Sequence, residues 1–220
     1  MARFGIRAAH VYGIGMPVLR KIAGKLGVNH TLATQLWRSG VHEARILASI
    51  IDDPLLVTSR QMDRWAKDCD SWDVCDQCCM NLFRYSPRAY AQAAAWTGRK
   101  EEYVKRAGFS LVACLAVGDK KTDDRKFVRF FPHIVRGASD GRTMVRKAVN
   151  WSLRQIGKRS LWLNARAVQC ARDIQRQGDR GSQWVARDAL RELTGEAVMR
   201  RLRRKHTRPV QGTNALRHML

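Results

Sequence analysis

Apolar residues recur along this chain at intervals of three or four positions, which is the spacing of an amphipathic helix. One face of the segment 142–157 carries a complete apolar stripe, formed by Val145, Val149, Leu153 and Ile156. Strictly alternating apolar and polar residues, which predict strands, do not occur in the sequence, and no Asn-Gly or Asp-Gly hairpin lies between two apolar runs. The pattern therefore predicts a chain built of helices alone.

Prolines and capping residues indicate where these helices begin. Pro17 fits the first turn of a helix that follows Gly15, and Ser86 with Pro87 fits the start of another. With the apolar periodicity, such signals predict helices near residues 16–26, 30–38, 41–52, 58–68, 71–84, 87–97, 101–116, 123–135, 142–157, 160–177, 181–193 and 195–205.

The connectors between these helices are short, which favours antiparallel helix pairs stacked side by side as an α-solenoid. No strict sequence repeat is visible, so the repeats are expected to be degenerate. We expect one all-α domain over residues 1–205 and a flexible basic tail over residues 206–220. An ordinary globular helical bundle is the alternative architecture.

The net charge of the chain indicates what kind of partner the helical domain binds. The chain has 41 Lys and Arg residues against 19 Asp and Glu, a formal net charge of +22, and the cations recur from Arg20 to Arg208. A field of this size favours a polyanionic partner, with nucleic acid as the first candidate and an anionic membrane surface as the second. The alternative is a simple effect on solubility or a basic tail. The sequence contains neither a signal-peptide pattern nor a run of 18 apolar residues. We therefore expect a soluble cytoplasmic protein of bacterial type that acts at the nucleoid.

Six cysteines are present, and four of them are clustered: Cys69, Cys75, Cys78 and Cys79. The cluster resembles a zinc or iron–sulfur site at first sight. Three of its members fall within one predicted helix, however, and neither a second CxxC nor a pair of histidines follows. Cysteine is also a common small buried residue. We therefore expect reduced thiols, no metal and no cofactor.

The polar face of the segment 142–157 carries an aromatic residue among cations. Lys147, Trp151, Arg154 and Lys158 lie opposite the apolar stripe. A flat ring flanked by cations suits a sugar or base beside phosphates. The alternative is that Trp151 packs against a neighbouring helix and the Lys and Arg stems cover it.

A second candidate group lies in the segment 71–84. Ser71 is a suitable N-cap, and Trp72 and Asp76 are then one turn apart on one helix face. A carboxylate beside an aromatic wall suits a cationic, electron-poor centre. Asp73 points elsewhere and is expected to be a capping or surface acid. The alternative is a core Trp with an incidental surface Asp.

The third candidate is a single arginine. Arg106 lies off the apolar stripe of the predicted helix 101–116, and its fork of donors suits a phosphate. A simple helix pair with Glu102 is the alternative.

Five segments, in chain order, resemble motifs of one family. They are YGIGMPVLRKIAGKLG, LWRSGVHEARILASIIDD, SWDVCD, VKRAGFSLVACLA and VRKAVNWSLRQIGK. Each is weak alone, but their common order and spacing are specific. The chain resembles the AlkD-type DNA alkylation-repair glycosylases, which are built from HEAT-like helical repeats.

The resemblance implies a base-excision repair enzyme that removes cationic N3- or N7-alkylated purines from duplex DNA without full base flipping. It implies that Trp72 and Trp151 flank the deoxyribose. Asp76 would stabilise the developing oxocarbenium ion and position water at C1′. Arg106 and Arg154 would contact the DNA.

Further DNA contacts are expected from Lys147 and Lys158, and from Phe4, which falls near an aromatic position of the family. The expected protein is a monomer whose partner is duplex DNA with alkylated purines, and not a membrane. Two other functions stay open: a non-catalytic helical module that binds DNA or RNA, and a protein–protein scaffold.

Overall fold

The computed structural model describes Ile6 and residues 10–207, apart from the side chain of His206. Phe4 lies outside these residues. The described chain contains no strand and forms thirteen α-helices: α1 (Met16–Leu26), α2 (His30–Arg38), α3 (His42–Ile51), α4 (Ser59–Asp68), α5 (Trp72–Asn81), α6 (Ala89–Trp96), α7 (Glu102–Gly118), α8 (Arg125–Val128), α9 (Phe131–Gly137), α10 (Thr143–Gly157), α11 (Leu161–Gln175), α12 (Arg180–Leu193) and α13 (Glu196–Thr207). The all-α prediction is confirmed.

Most predicted boundaries fall close to the observed ones, but two predicted helices were too long. The helix predicted over 71–84 ends at Asn81 and gives way to a 3-10 turn, Phe83–Tyr85. The helix predicted over 123–135 is divided into α8 and α9, and Pro132 lies in the first turn of α9. Proline lacks the N–H that a continuous helix would use, so it favours a new start.

Differences of one or two residues occur at other helix ends, for example in α6, α11 and α13. Helix α6 begins at Ala89 rather than at the predicted Pro87, with Arg88 as its N-cap residue. Helix α11 ends at Gln175, two residues before the predicted end. Helix α13 continues to Thr207, so the helix extends past the predicted start of the tail at residue 206.

The helices pack in the stepwise order of a solenoid. One row contains α1, α3, α5, α7, α10 and α12, each in contact with the next. The intervening helices lie against this row: α2 on α3, α6 on α7, and α11 on α10 and α12. The predicted α-solenoid is therefore confirmed. No helix in the described part of the chain has both the length and the apolar character needed to cross a bilayer.

A continuous apolar core joins successive helix pairs. In the first half of this core, aromatic side chains of successive helices contact one another. Trp37 stacks on Trp65 with ring centroids 4.1 Å apart, and Trp65 lies 6.5 Å from Phe83. Phe83 meets Trp96 edge-on at 5.7 Å. Such pairs contribute beyond the area that they bury, so they fix how neighbouring repeats are aligned.

Close backbone approach between α6 and α7 depends on Gly108. A Cβ atom at this position would lie 2.7 Å from the Thr97 nitrogen and 2.9 Å from the Trp96 carbonyl carbon. Only a residue without a side chain fits there. This contact sets the position of α7, the helix that carries Arg106.

Candidate active site

Helix α5 places Trp72 at its first position and Asp76 one turn later. Ser71 is the N-cap residue, as predicted, with an extended backbone, but its hydroxyl makes no capping hydrogen bond. The core side of α5 carries Val74, Cys75, Cys78 and Cys79, all buried. Asp76 is only 7% exposed. A carboxylate with so little solvent needs specific partners.

Two residues of α7 supply those partners. Arg106 Nε donates to Asp76 Oδ1 at 3.1 Å, and Arg106 Nη2 donates to Oδ2 at 2.7 Å. Ser110 Oγ donates to Oδ1 at 2.7 Å. Each carboxylate oxygen has about two lone-pair sites. Two of these three donors share Oδ1, and the third binds Oδ2.

Burial and the neighbouring charges have opposite effects on the pKa values of Asp76 and Arg106. Burial raises the pKa of the Asp76 carboxyl, while the charge of Arg106 and the hydrogen bonds from Arg106 and Ser110 act to lower it. Burial lowers the pKa of Arg106, but Asp76 outweighs that effect and the pKa rises overall. Asp76 therefore faces a permanent cation in a site with little water.

Arg106 points in a direction that the sequence did not predict. It was expected to hold a phosphate, with a Glu102 pair as the alternative. Instead its side chain is 6% exposed, and its Nη1 donates to the Met144 carbonyl oxygen of α10 at 2.6 Å. Its guanidinium carbon lies 5.9 Å from the centre of the Trp72 ring. Arg106 thus joins Trp72 and Asp76 to the first turn of α10.

Trp151 lies two turns further along α10, on the same face as Met144. Its ring is partly buried and packs against the core. This agrees with the packing that the alternative for Trp151 predicts. With the Gln155 amide oriented so that its oxygen faces the indole, Trp151 Nε1 donates to it at 3.0 Å. The structure therefore shows one cluster of Trp72, Asp76 and Arg106, and beside it the row on α10 that contains Trp151.

The cations of that row are not equivalent. Arg154 donates to Glu192 of α12 at 2.5 Å, and Lys158 binds the same carboxylate. Arg154 also lies 3.5 Å from Asp188. Lys147 is exposed, and no ion pair links it to any residue in the described part of the chain. Of the three predicted cations, only Lys147 presents an uncompensated charge.

Comparison with known families agrees with this arrangement. The family of DNA alkylation repair enzymes matches residues 1–193 of the chain. This chain belongs to that family. The predicted resemblance is therefore confirmed, and the protein is a DNA-repair protein whose partner is DNA. No curated protein matches it.

A solved structure also matches this repair-family member, with a TM-score of 0.71 and 21% sequence identity. The match covers 87% of this chain and 88% of that chain. That protein is described as one of a new family related to the HEAT-like repeat DNA glycosylases, with affinity for branched DNA structures. At this identity the match shows a shared fold, which confirms the predicted HEAT-like repeat architecture.

Sequence reasoning missed three polar groups of this repair-family member. Ser110 is one turn beyond Arg106 in a mostly apolar helix, a spacing that could have indicated a shared partner. Asp73, expected at the surface or as a cap, lies 2.9 Å from the buried His42 Nε2, and this hydrogen bond raises the pKa of His42. Glu43 accepts hydrogen bonds from three successive backbone N–H groups, those of residues 12–14.

The clustered cysteines serve the core in this repair-family member. All six cysteines are free and buried. Cys79 donates to the Ala107 carbonyl oxygen at 3.5 Å, so it packs directly against α7. Among the described residues, no group of His, Cys, Asp or Glu side chains has the arrangement of a metal site.

Proposed function

We propose that this protein is a DNA N-glycosylase that hydrolyses the glycosidic bond of cationic N3- or N7-alkylated purines in duplex DNA, without full base flipping. One observation carries the proposal. A buried carboxylate, Asp76, stands one turn from an indole, Trp72, and is fixed in place by three hydrogen bonds from Arg106 and Ser110. That is the arrangement expected for a group that stabilises a developing positive charge.

The proposed reaction needs little acid–base chemistry. The C1′–N bond breaks, and its electron pair stays with the purine, which neutralises the positive charge that alkylation placed there. The sugar becomes an oxocarbenium ion, water adds at C1′, and a proton is released to solvent. Because the leaving base is already cationic, no general acid is required. Asp76 alone then does what two carboxylates do in ordinary glycoside hydrolysis.

The surrounding residues take supporting roles in the proposal. Trp72 and Trp151 form the aromatic walls beside the deoxyribose, where a ring face favours a cationic sugar. Arg106 acts through Asp76, which it orients, rather than on a phosphate. Lys147 contacts a phosphate directly. Arg154 and Lys158 contribute less to DNA binding, because Glu192 partly neutralises them.

The test compares two matched substitutions. Asp76→Asn keeps the shape of the side chain but removes its charge. We expect it to slow release of 7-methylguanine from duplex DNA by about 100-fold or more, the usual effect of losing an electrostatic stabiliser. The control is Asp63→Asn. Asp63 on α4 is likewise a carboxylate that accepts side-chain hydrogen bonds, from Gln92 Nε2 at 2.8 Å and from Trp96 Nε1 at 2.5 Å.

The control should release the base within about twofold of the wild-type rate, since it leaves Asp76 unchanged. Thermal unfolding of both variants separates a loss of fold from a loss of chemistry. Wild-type release no faster than spontaneous depurination would refute the enzymatic proposal. Equal losses in both variants would also count against it.

A second function is favoured by the same geometry. A bidentate Arg–Asp pair that is almost fully buried also has a purely structural use, which is to hold α5 against α7. The protein would then bind DNA without cleaving it. In that case Asp76→Asn would lower the unfolding temperature and leave the affinity for duplex DNA unchanged. Base release would stay at the background rate in both the wild type and the variant.

A further inference from the structure

A basic groove lies between α10 and α12, outside the cluster of Trp72, Asp76 and Arg106. Its volume is about 590 Å³, and it is lined by Thr143, Arg146 and Lys147 of α10 and by Arg180, Trp184 and Arg187 of α12. The two helices approach closely at Gly181, where a Cβ atom would lie 2.8 Å from Arg146 Cδ. The groove is therefore part of the packed fold rather than a gap between loose elements.

The charge of this groove is almost entirely uncompensated. No carboxylate of the described residues lines it. Lys147 and Arg180 are exposed, and no hydrogen bond or ion pair ties their side chains to any other residue that the structure describes. Among the described residues, Arg146 donates only to carbonyl oxygens and to the Thr143 hydroxyl, and Arg187 only to the Gln183 carbonyl oxygen. Four cations without a counter-charge attract a polyanion.

A phosphate in this groove would be bound by side chains and not by a helix end. The first N–H groups of α12 are already satisfied, because Asp179 accepts from Gly181 at 2.9 Å and from Ser182 at 3.0 Å. The charge and donors that remain are those of the Arg and Lys side chains, which are the usual ligands of a nucleic-acid backbone.

Trp184 adds an exposed aromatic ring to the groove, which phosphate binding alone does not need. Its indole is 40% exposed and forms part of the groove wall, between Arg180 and Arg187, which are one turn away on either side. A large aromatic ring left in solvent indicates a binding surface. An indole between guanidinium groups presents a flat apolar face for stacking together with charges for a phosphate.

We propose that this groove binds one unpaired nucleotide of a DNA strand, with its base stacked on Trp184 and its phosphate on Lys147 and Arg180. Base faces inside an intact duplex are covered by their neighbours, so a fixed wall residue reaches one only where the strand is single. The inference rests on DNA as the partner, as in the proposed function, but on no catalytic step.

The groove is continuous with the candidate active site along α10. Lys147 is one turn before Trp151, which is about 6 Å along the helix axis. A strand that passes Trp151 therefore reaches the groove within one or two nucleotides. We accordingly expect tighter binding to duplexes in which a single-stranded tail or gap begins close to the bound segment.

The experiment compares Trp184→Ala with Trp162→Ala. Trp162 is a suitable control, because it is also 40% exposed and has an arginine, Arg166, one turn away along its helix. It lies on α11 and does not line the groove. Fluorescence anisotropy measures the affinity of each variant for a blunt duplex and for the same duplex with a short single-stranded tail.

Wild-type protein should bind the tailed duplex more tightly than the blunt one. Trp184→Ala should weaken binding to the tailed duplex by about tenfold, the usual loss for one stacked base, and change blunt-duplex binding by less than about twofold. Trp184→Phe should restore most of the difference, because it keeps a ring. Trp162→Ala should behave like the wild type.

Three results would overturn the inference: no preference of the wild type for the tail, an equal loss on both DNAs, or an equal loss in both alanine variants. The Asp76→Asn variant separates this inference from the proposed function. It should keep the preference for the tail even if base release is lost or was never present. Base release that is normal in a protein without tail preference would leave the proposed function intact and refute this inference alone.

Discussion

Ser110 is a small residue with a large expected effect on the carboxylate beside it. Its hydroxyl, fully buried, donates to Asp76 Oδ1 at 2.7 Å. This hydrogen bond favours the ionised form of Asp76 and so acts against burial, which raises the pKa of that carboxyl. The charge needed in the proposed reaction depends on this balance.

Ser110→Ala is expected to shift the acidic limb of the pH–rate profile to higher pH. A hydrogen bond to a charged group is worth about 1.5–3 kcal/mol. Its loss therefore raises the pKa of Asp76 further. Activity, which needs ionised Asp76, is then lost at a higher pH as the pH falls. The measurement is release of 7-methylguanine across a pH series.

Ser152→Ala is the matched control for this profile. Ser152 is equally buried but donates to the Val149 carbonyl oxygen within α10. Its removal should leave the acidic limb in place. A limb that moves in both variants, or in neither, would show that Ser110 does not tune Asp76.

At the scale of single residues, the sequence predicted types and spacings better than directions. Trp72 and Asp76 could be paired from their spacing, since one helix determines it. The inward turn of Arg106 could not, because its partners Asp76 and Met144 lie on two other helices. Tertiary packing decides such a direction, and helix periodicity carries no information about it.

At the scale of elements, apolar periodicity located most of the helices because each buries one face. It failed over residues 123–135, where α8 and α9 are only four and seven residues long. Two such short helices, one beginning near a proline, give the same apolar spacing as one continuous helix. Local pattern alone cannot separate these cases.

Glycine substitutions in two helices should have opposite effects on stability. Gly108→Ala would force a Cβ against the backbone of Trp96 and Thr97, at a cost of about 1–3 kcal/mol. Gly24→Ala on α1 meets nothing within 4 Å, so its better helix propensity should stabilise by about 0.5–1 kcal/mol. Thermal unfolding should show a fall of several degrees for the first and a small rise for the second. Changes of the same sign would contradict the close packing of α6 and α7.

At the scale of the whole molecule, the net charge differs from the charge that is available to bind DNA. The formal charge is +22, yet many cations are engaged by carboxylates. The sequence gives the sum of the charges but not their pairing, because partners such as Lys158 and Glu192 lie far apart in the chain. Only the unpaired cations are fully available to displace counterions from DNA.

Lys147 and Lys158 provide a direct test of this distinction. The affinity for a blunt duplex should fall steeply between 50 and 200 mM salt. Lys147→Gln should reduce the slope of log affinity against log salt by about one, as expected for one lost phosphate contact. Lys158→Gln should change it much less, because Glu192 already binds that ammonium group. Anisotropy titrations at several salt concentrations measure both slopes, and equal reductions would show that the pair with Glu192 opens on DNA.

The buried cysteines have a consequence for a protein that works where DNA is being alkylated. Alkylating agents are electrophiles, and the thiolate is the most reactive nucleophile that a protein offers them. All six thiols are enclosed, and burial raises the pKa of Cys78, Cys79, Cys114 and Cys170, the last to about 12. Folded, the chain presents almost no thiolate to attack. The same packing that holds α5 in place thereby protects the protein from the chemicals whose damage its family repairs.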